Sequence, residues 1–116
     1  MAVINLIDVS SITPTTVAGA VTTSRASIID VAADKVAKVN TLIIANIDGT
    51  NAADITVEVS IDNGSNYVAI AKTVSVPADA TLIVVGKDNG FYLDETDILA
   101  VTASAASDLT YLVSFE

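Results

Sequence analysis

The chain has no cysteine, no histidine and no tryptophan. Without cysteine there is neither a disulfide framework nor a thiolate metal site. Without histidine the commonest general base and the usual zinc and iron ligand are both missing, and a Ser/His/Asp arrangement is impossible. A Ser–Lys dyad finds no Ser-x-x-Lys spacing, because the residues three beyond Ser24, Ser27 and Ser75 are Ser27, Asp30 and Ala78. Aromatic residues are 4% of the chain, too few to line a sugar cleft around a carboxylate pair. The glycine patterns that cradle phosphates or dinucleotides do not occur. The expectation is therefore a protein without catalytic residues and without a cofactor.

Basic residues are also scarce. Arg25, Lys35, Lys38, Lys72 and Lys87 stand against 14 acidic residues, for a formal net charge of -9. Such a surface repels phosphate backbones, so no direct nucleic-acid partner is expected. No apolar run approaches the roughly 18 residues of a membrane-spanning helix, and no membrane partner is expected either. The opening stretch 1–8 lacks a basic region and reads as a strand, not as a signal peptide.

What the chain does contain is aliphatic: 52% of its residues are hydrophobic, mostly Val, Ile, Leu and Ala. Its β-branched residues favour strands. In the stretch 53–62, Ile55, Val57, Val59 and Ile61 alternate with Thr56, Glu58, Ser60 and Asp62. That is the period of two of a strand with one dry and one wet face. Before it, Leu42, Ile43, Ile44 and Ala45 are apolar on both faces, as expected of a strand sandwiched in a core. The stretch 48–51 between them reads as a hairpin turn, and Asp62-Asn63-Gly64 as a second. Further strands are expected over 2–9, 24–32, 67–76, 81–85, 91–93, 98–103 and 109–115. In the last of these, Leu109, Tyr111, Val113 and Phe115 share a face, and it closes a hairpin with 98–103. A short helix over 32–38 is the less favoured choice beside its β-branched neighbours.

Turn signals at short, regular spacing with no long helix are the signature of an all-β sandwich. The expected fold is an antiparallel β-sandwich of about seven to nine strands, immunoglobulin-like or jelly-roll in order. Its length makes it one domain. Residues 1–24 are read as an N-terminal strand and extended arm, the arm carrying a short strand near 17–21, and 25–116 as the sandwich.

Oxygen ligands are plentiful in the turns, so calcium is the one metal to weigh. No EF-hand loop fits: after Asp62 the glycine falls at the third position and the twelfth is Thr73. Asp, Asn and Gly in these places are read as turn devices and no metal site is assigned. Asp94, Glu95 and Asp97 form the densest carboxylate group and are the calcium candidates if there is one. Arg25, the sole arginine, is a candidate for a bidentate contact with a carboxylate at an interface.

Several stretches together carry a resemblance: SRASIID at 24–30, IANIDGTNAAD at 44–54, VPADATL at 76–82, LDETDIL at 93–99 and TASA at 102–105. The series is similar to small virion structural proteins of tailed bacteriophages, especially those of cyanobacterial and marine hosts. It spans residues 24–116, and the matching motifs are turns, so no functional residue is carried over. The resemblance implies a sandwich made in the host cytoplasm and displayed in many copies on the capsid exterior. It implies a head decoration or cement protein, acting as a homotrimer whose partner is the major capsid protein. A tail, neck or fibre subunit that recognises host glycans is the alternative, and a secreted adhesion module using calcium a third.

Overall fold

A computed structural model of the chain describes residues 5–116. Nine strands follow one another: β1 (Thr15–Ala20), β2 (Ala26–Asp30), β3 (Ala37–Asn46), β4 (Ala53–Ser60), β5 (Val68–Val76), β6 (Thr81–Val85), β7 (Phe91–Leu93), β8 (Ile98–Ala103) and β9 (Leu109–Phe115). All pairings are antiparallel. The first sheet has the order β1-β9-β3-β6, with β7 continuing the line of β6 along β3, and the second has the order β2-β8-β4-β5. The sandwich expected from the turn spacing is thus present.

Its order is that of a jelly roll. The first position pairs with the last, β2 with β8, β3 with the broken β6/β7 position, and β4 with β5. Most connections therefore cross from one sheet to the other, whereas an immunoglobulin order keeps successive hairpins within one sheet. Two expected hairpins are corrected by this. Residues 47–52 join β3 and β4, and 104–108 join β8 and β9, and in both cases the two strands lie in different sheets. Period and turn chemistry reveal a chain reversal but not whether the partner strand is beside or across. The Asp62-Asn63-Gly64 hairpin does form: Asn63 and Gly64 have φ of 58° and 86° and link the paired strands β4 and β5, the backbone that Asn-Gly favours.

The N-terminal expectations also change. Residues 6–8 form a short 3-10 helix, Leu6–Asp8, whose cap Asn5 accepts from the Ile7 backbone N–H at 3.0 Å; residues 2–4 of the expected first strand lie outside the described residues. The short strand expected near 17–21 in the arm is a full edge strand over 15–20, in register with β9 from Thr15–Phe115 to Ala20–Thr110. The sandwich thus begins before residue 25. The side chains of β1 are too small to give an apolar alternation, but Gly19 is used: a Cβ there would lie 3.3 Å from the Tyr111 ring, so the bare backbone makes room for the ring of its cross-strand partner. Residues 32–38 are not helical; a turn there leads into β3.

Leu42, Ile44, Leu109 and Val113 of the first sheet and Ile55, Val57, Leu99 and Val101 of the second are buried in one core. Tyr111 and Phe115 pack at its margin. The core is aliphatic throughout its centre, so it rests on close packing of branched side chains rather than on a large ring.

One buried polar side chain fixes the crossover from β3 to β4. Asn46 is 3% exposed. Its Nδ2 donates to the Asn51 and Val76 carbonyls, each at 2.9 Å, and its Oδ1 accepts from the Asp48 backbone N–H at 2.9 Å. All of its hydrogen-bonding sides are engaged, which is what makes burial of an amide tolerable. Replacement by alanine orphans two carbonyls and an amide. Asn46→Ala is expected to lose about 3 kcal/mol of stability in urea unfolding; a loss below about 1 kcal/mol would show that the crossover is held by other means.

Candidate interaction surface

The calcium candidates are placed on the loop between β7 and β8, and they diverge. Asp97 turns inward, 3% exposed, and its Oδ2 accepts from the Asp94 backbone N–H at 2.9 Å. Glu95 reaches across to the preceding crossover, its Oε2 accepting from the Asp34 backbone N–H at 2.7 Å. Backbone bonds from Val31 to the Asp97 carbonyl and from Thr96 to the Val31 carbonyl stitch the same two loops. Positive φ at Asp34 and Thr96, 63° and 66°, is thereby held in place. Among the described residues no group of three or more acidic side chains is arranged to hold a metal ion.

Asp48 and Asp62 likewise accept from backbone N–H groups in their turns. Asp48 Oδ1 accepts from the Thr50 and Asn51 backbone N–H groups at 2.8 and 3.2 Å, and these bonds hold its carboxyl below the usual range. Asp62 is lowered by the Asn66 side-chain amide and backbone N–H. Asp108 is raised by desolvation and by the neighbouring Asp48 charge. Arg25 makes the bidentate contact its chemistry suggests, but within its own chain. Its Nε and Nη2 meet Glu58 Oε1 and Oε2 at 3.0 and 3.2 Å, and its guanidinium carbon sits 3.9 Å from the Tyr67 ring centre. It clamps the outer face of the second sheet.

A groove of about 530 Å³ opens at the end of the sandwich where β3 begins and β9 finishes. Its apolar lining includes Leu6, Ile12, Ile28 and Phe115, and Asp30, Lys35, Lys38 and Glu116 line it as well. Its charged groups are of both signs, and no convergent polar set selects a ligand.

The most distinctive surface is the outer face of the first sheet. Three cross-strand rows lie on it in register. Ala18, Leu112, Ile43 and Ile83 form the central row. Ala20, Thr110, Ala45 and Thr81 flank it on one side, and Thr16, Ser114 and Thr41 on the other. None of these side chains is charged. Ile83 is 64% and Leu112 40% exposed, and Ile47, continuing the β3 alternation, is 63% exposed. A shallow depression lies among Ala18, Ile43, Ala45 and Leu112.

This surface corrects the reading of 42–45. Leu42 and Ile44 are buried, as expected, but Ile43 and Ala45 are half-buried on a face that no element among the described residues covers. The doubly apolar pattern that signals a strand covered on both sides is present, and among the described residues the second cover is not. The same holds for β6, where Val85 is buried and Ile83 is open. The parity of Ile43 and Leu112 was the available signal; their common row became visible only once β3 and β9 were paired.

The long edge strand β5 exposes Val68, Ile70 and Val74 as well. It is blunted by Lys72 and by a bulge at Thr73, whose φ is 46° and whose N–H donates to the Thr56 hydroxyl at 3.1 Å. Bulges and lysines are the usual guards of an edge against further strand pairing. The first sheet's outer face has no such guard. Compared with known proteins, the chain matches no family model and no curated protein.

The inward turn of Asp97 generates a pH prediction. Burial pushes its carboxyl above the ordinary 3.8, and its Oδ1 is buried without a hydrogen-bond partner among the described residues. The charged form is thus disfavoured in the folded state, a penalty present at neutral pH and relieved as pH falls through the raised value. Asp97→Asn keeps an acceptor for the Asp94 N–H and removes the charge. Thermal melts should show the variant above the wild type near neutral pH, with the gap closing once wild-type Asp97 is protonated. A variant melting lower at neutral pH, or a gap independent of pH, would contradict this.

Proposed function

We propose that this chain is a structural protein of a tailed-bacteriophage particle, a head decoration protein that binds between capsid subunits on the outside of the shell as a homotrimer. The observation that carries the reading is the uncharged outer face of the first sheet on a chain of net charge -9. A sandwich with one neutral, partly apolar face and acids elsewhere is organised for contact with other protein surfaces. The sequence resemblance over residues 24–116 supplies the kind of particle. A fold of this type serves many roles, so the reading rests on the surface and the resemblance rather than on the jelly roll.

In this role each contact is modest and the effect comes from repetition. Many copies bridging neighbouring subunits add up across a closed shell, because each second contact is made at high local concentration. Turns tied by their own side chains, such as that of Asp48 with Thr50 and Asn51, suit a part that is displayed rather than one that moves.

Cryo-electron microscopy of the particle that carries this chain tests the reading. Density for the sandwich is expected on the capsid exterior, three copies together at junctions between capsid subunits. Density confined to the tail, neck or fibres would overturn it.

A further inference from the structure

We infer that the outer face of the first sheet is where copies of this chain meet one another. The inference rests on the homo-oligomer in the proposed function and names its surface.

Residues 42–45 of β3 and 82–85 of β6 are apolar on both sides, and among the described residues only one side is covered. Ile83 and Leu112 are exposed on either side of the half-buried Ile43, adjacent across three strands, so they form a patch and not a scatter of single residues. The cover must come from another molecule, and the charge of the chain selects which. Two copies of an acidic protein repel wherever carboxylates face each other. On the three rows of this face there is none. A basic partner, by contrast, would gain nothing from the one neutral sheet face of an acidic protein.

Charged groups lie at the ends of the face. Asp48, Asp79 and Asp108 lie in the three loops at the end where β3 finishes and β6 and β9 begin. At the opposite end Lys38 lies 5.9 Å from the Tyr92 ring centre, beside β7. Glu116 pairs with Lys38 through both backbone groups, so that end carries both signs, and a second copy laid across the face meets no charge in its middle.

The size of the patch sets the strength of the contact. Four strands about 4.8 Å apart and three rows about 7 Å apart span roughly 350 Å² in plan. That is about half of what each partner gives to a stable interface of standard size. Association through this face is accordingly concentration-dependent in free solution, and it tightens where copies are already held side by side.

Analytical ultracentrifugation across a concentration series, at low and at high salt, tests this on the intact chain. The wild type should shift from one chain to two or more as concentration rises. Salt should strengthen the shift, because it screens the mutual repulsion of the acids while leaving the neutral face unaffected. The double substitution Ile83→Lys with Leu112→Lys should weaken association at least about tenfold, with the circular-dichroism melt of the monomer confirming an intact fold. As a second probe, Ile61→Lys, on a loop of the other sheet, should leave association unchanged. A wild type that stays monomeric at millimolar concentration, or a double variant that associates like the wild type, would overturn the inference. Were such a monomer still found on shells, the inference would fail and the proposed function would stand.

Discussion

The pairing of β3 with β9 is the interaction on which the rest of this molecule depends. It joins residues 39–46 to 109–115 in the middle of the first sheet, so the fold closes only when distant parts of the chain meet. One side of the pair buries Leu42, Ile44, Leu109 and Val113. The other side sets Ile43 beside Leu112 and Ala45 beside Thr110. A single register thus builds half of the core and the centre of the outer face. A slip by one residue would exchange the two sides, which couples the stability of the sandwich to the surface it presents.

Around that pair the loops are held by local polar devices. Asn46 ties the β3–β4 crossover to both Asn51 and Val76, and Asn89 closes the loop after β6 by accepting from the Gly86 N–H at 2.6 Å. Gly90 is required for a different reason: a Cβ there would lie 2.8 Å from the Val39 carbonyl oxygen, so the chain can pass β3 closely only without a side chain. Asp48, Asp62, Glu95 and Asp97 are engaged in such loops through backbone N–H groups. Their chemistry serves the backbone first, and the surface charge follows from it.

Much of this was legible in the sequence. Alternation in 53–60 and in 109–115 marked two strands and their dry faces, and Asp62-Asn63-Gly64 marked a true hairpin. The reversals at 47–52 and 104–108 were visible as reversals, but nothing local distinguishes a hairpin from a crossover, because that choice is made by partners far away in sequence. β1 was legible only as a short strand near 17–21, since Thr, Ala and Gly carry too little apolar area to show a period. Asp94, Glu95 and Asp97 looked like a cluster because they are close in sequence; the inward rotation of Asp97 and the reach of Glu95 to Asp34 depend on loops that only the fold brings together. The candidate surface was half legible. The doubly apolar pattern of 42–45 reads as burial on both sides, whereas among the described residues the face it creates is open.

The central claim is that this open face is the working surface of the protein. Radical footprinting of side chains tests it most directly, comparing dilute protein with concentrated protein in high salt. Labelling of Ile83, Leu112 and Ile47 should fall on concentration while that of Ile61 and Val68, on the other sheet and its hairpin, stays constant. Unchanged labelling of Ile83 and Leu112 under conditions where the chain has assembled, with protection elsewhere, would contradict the account.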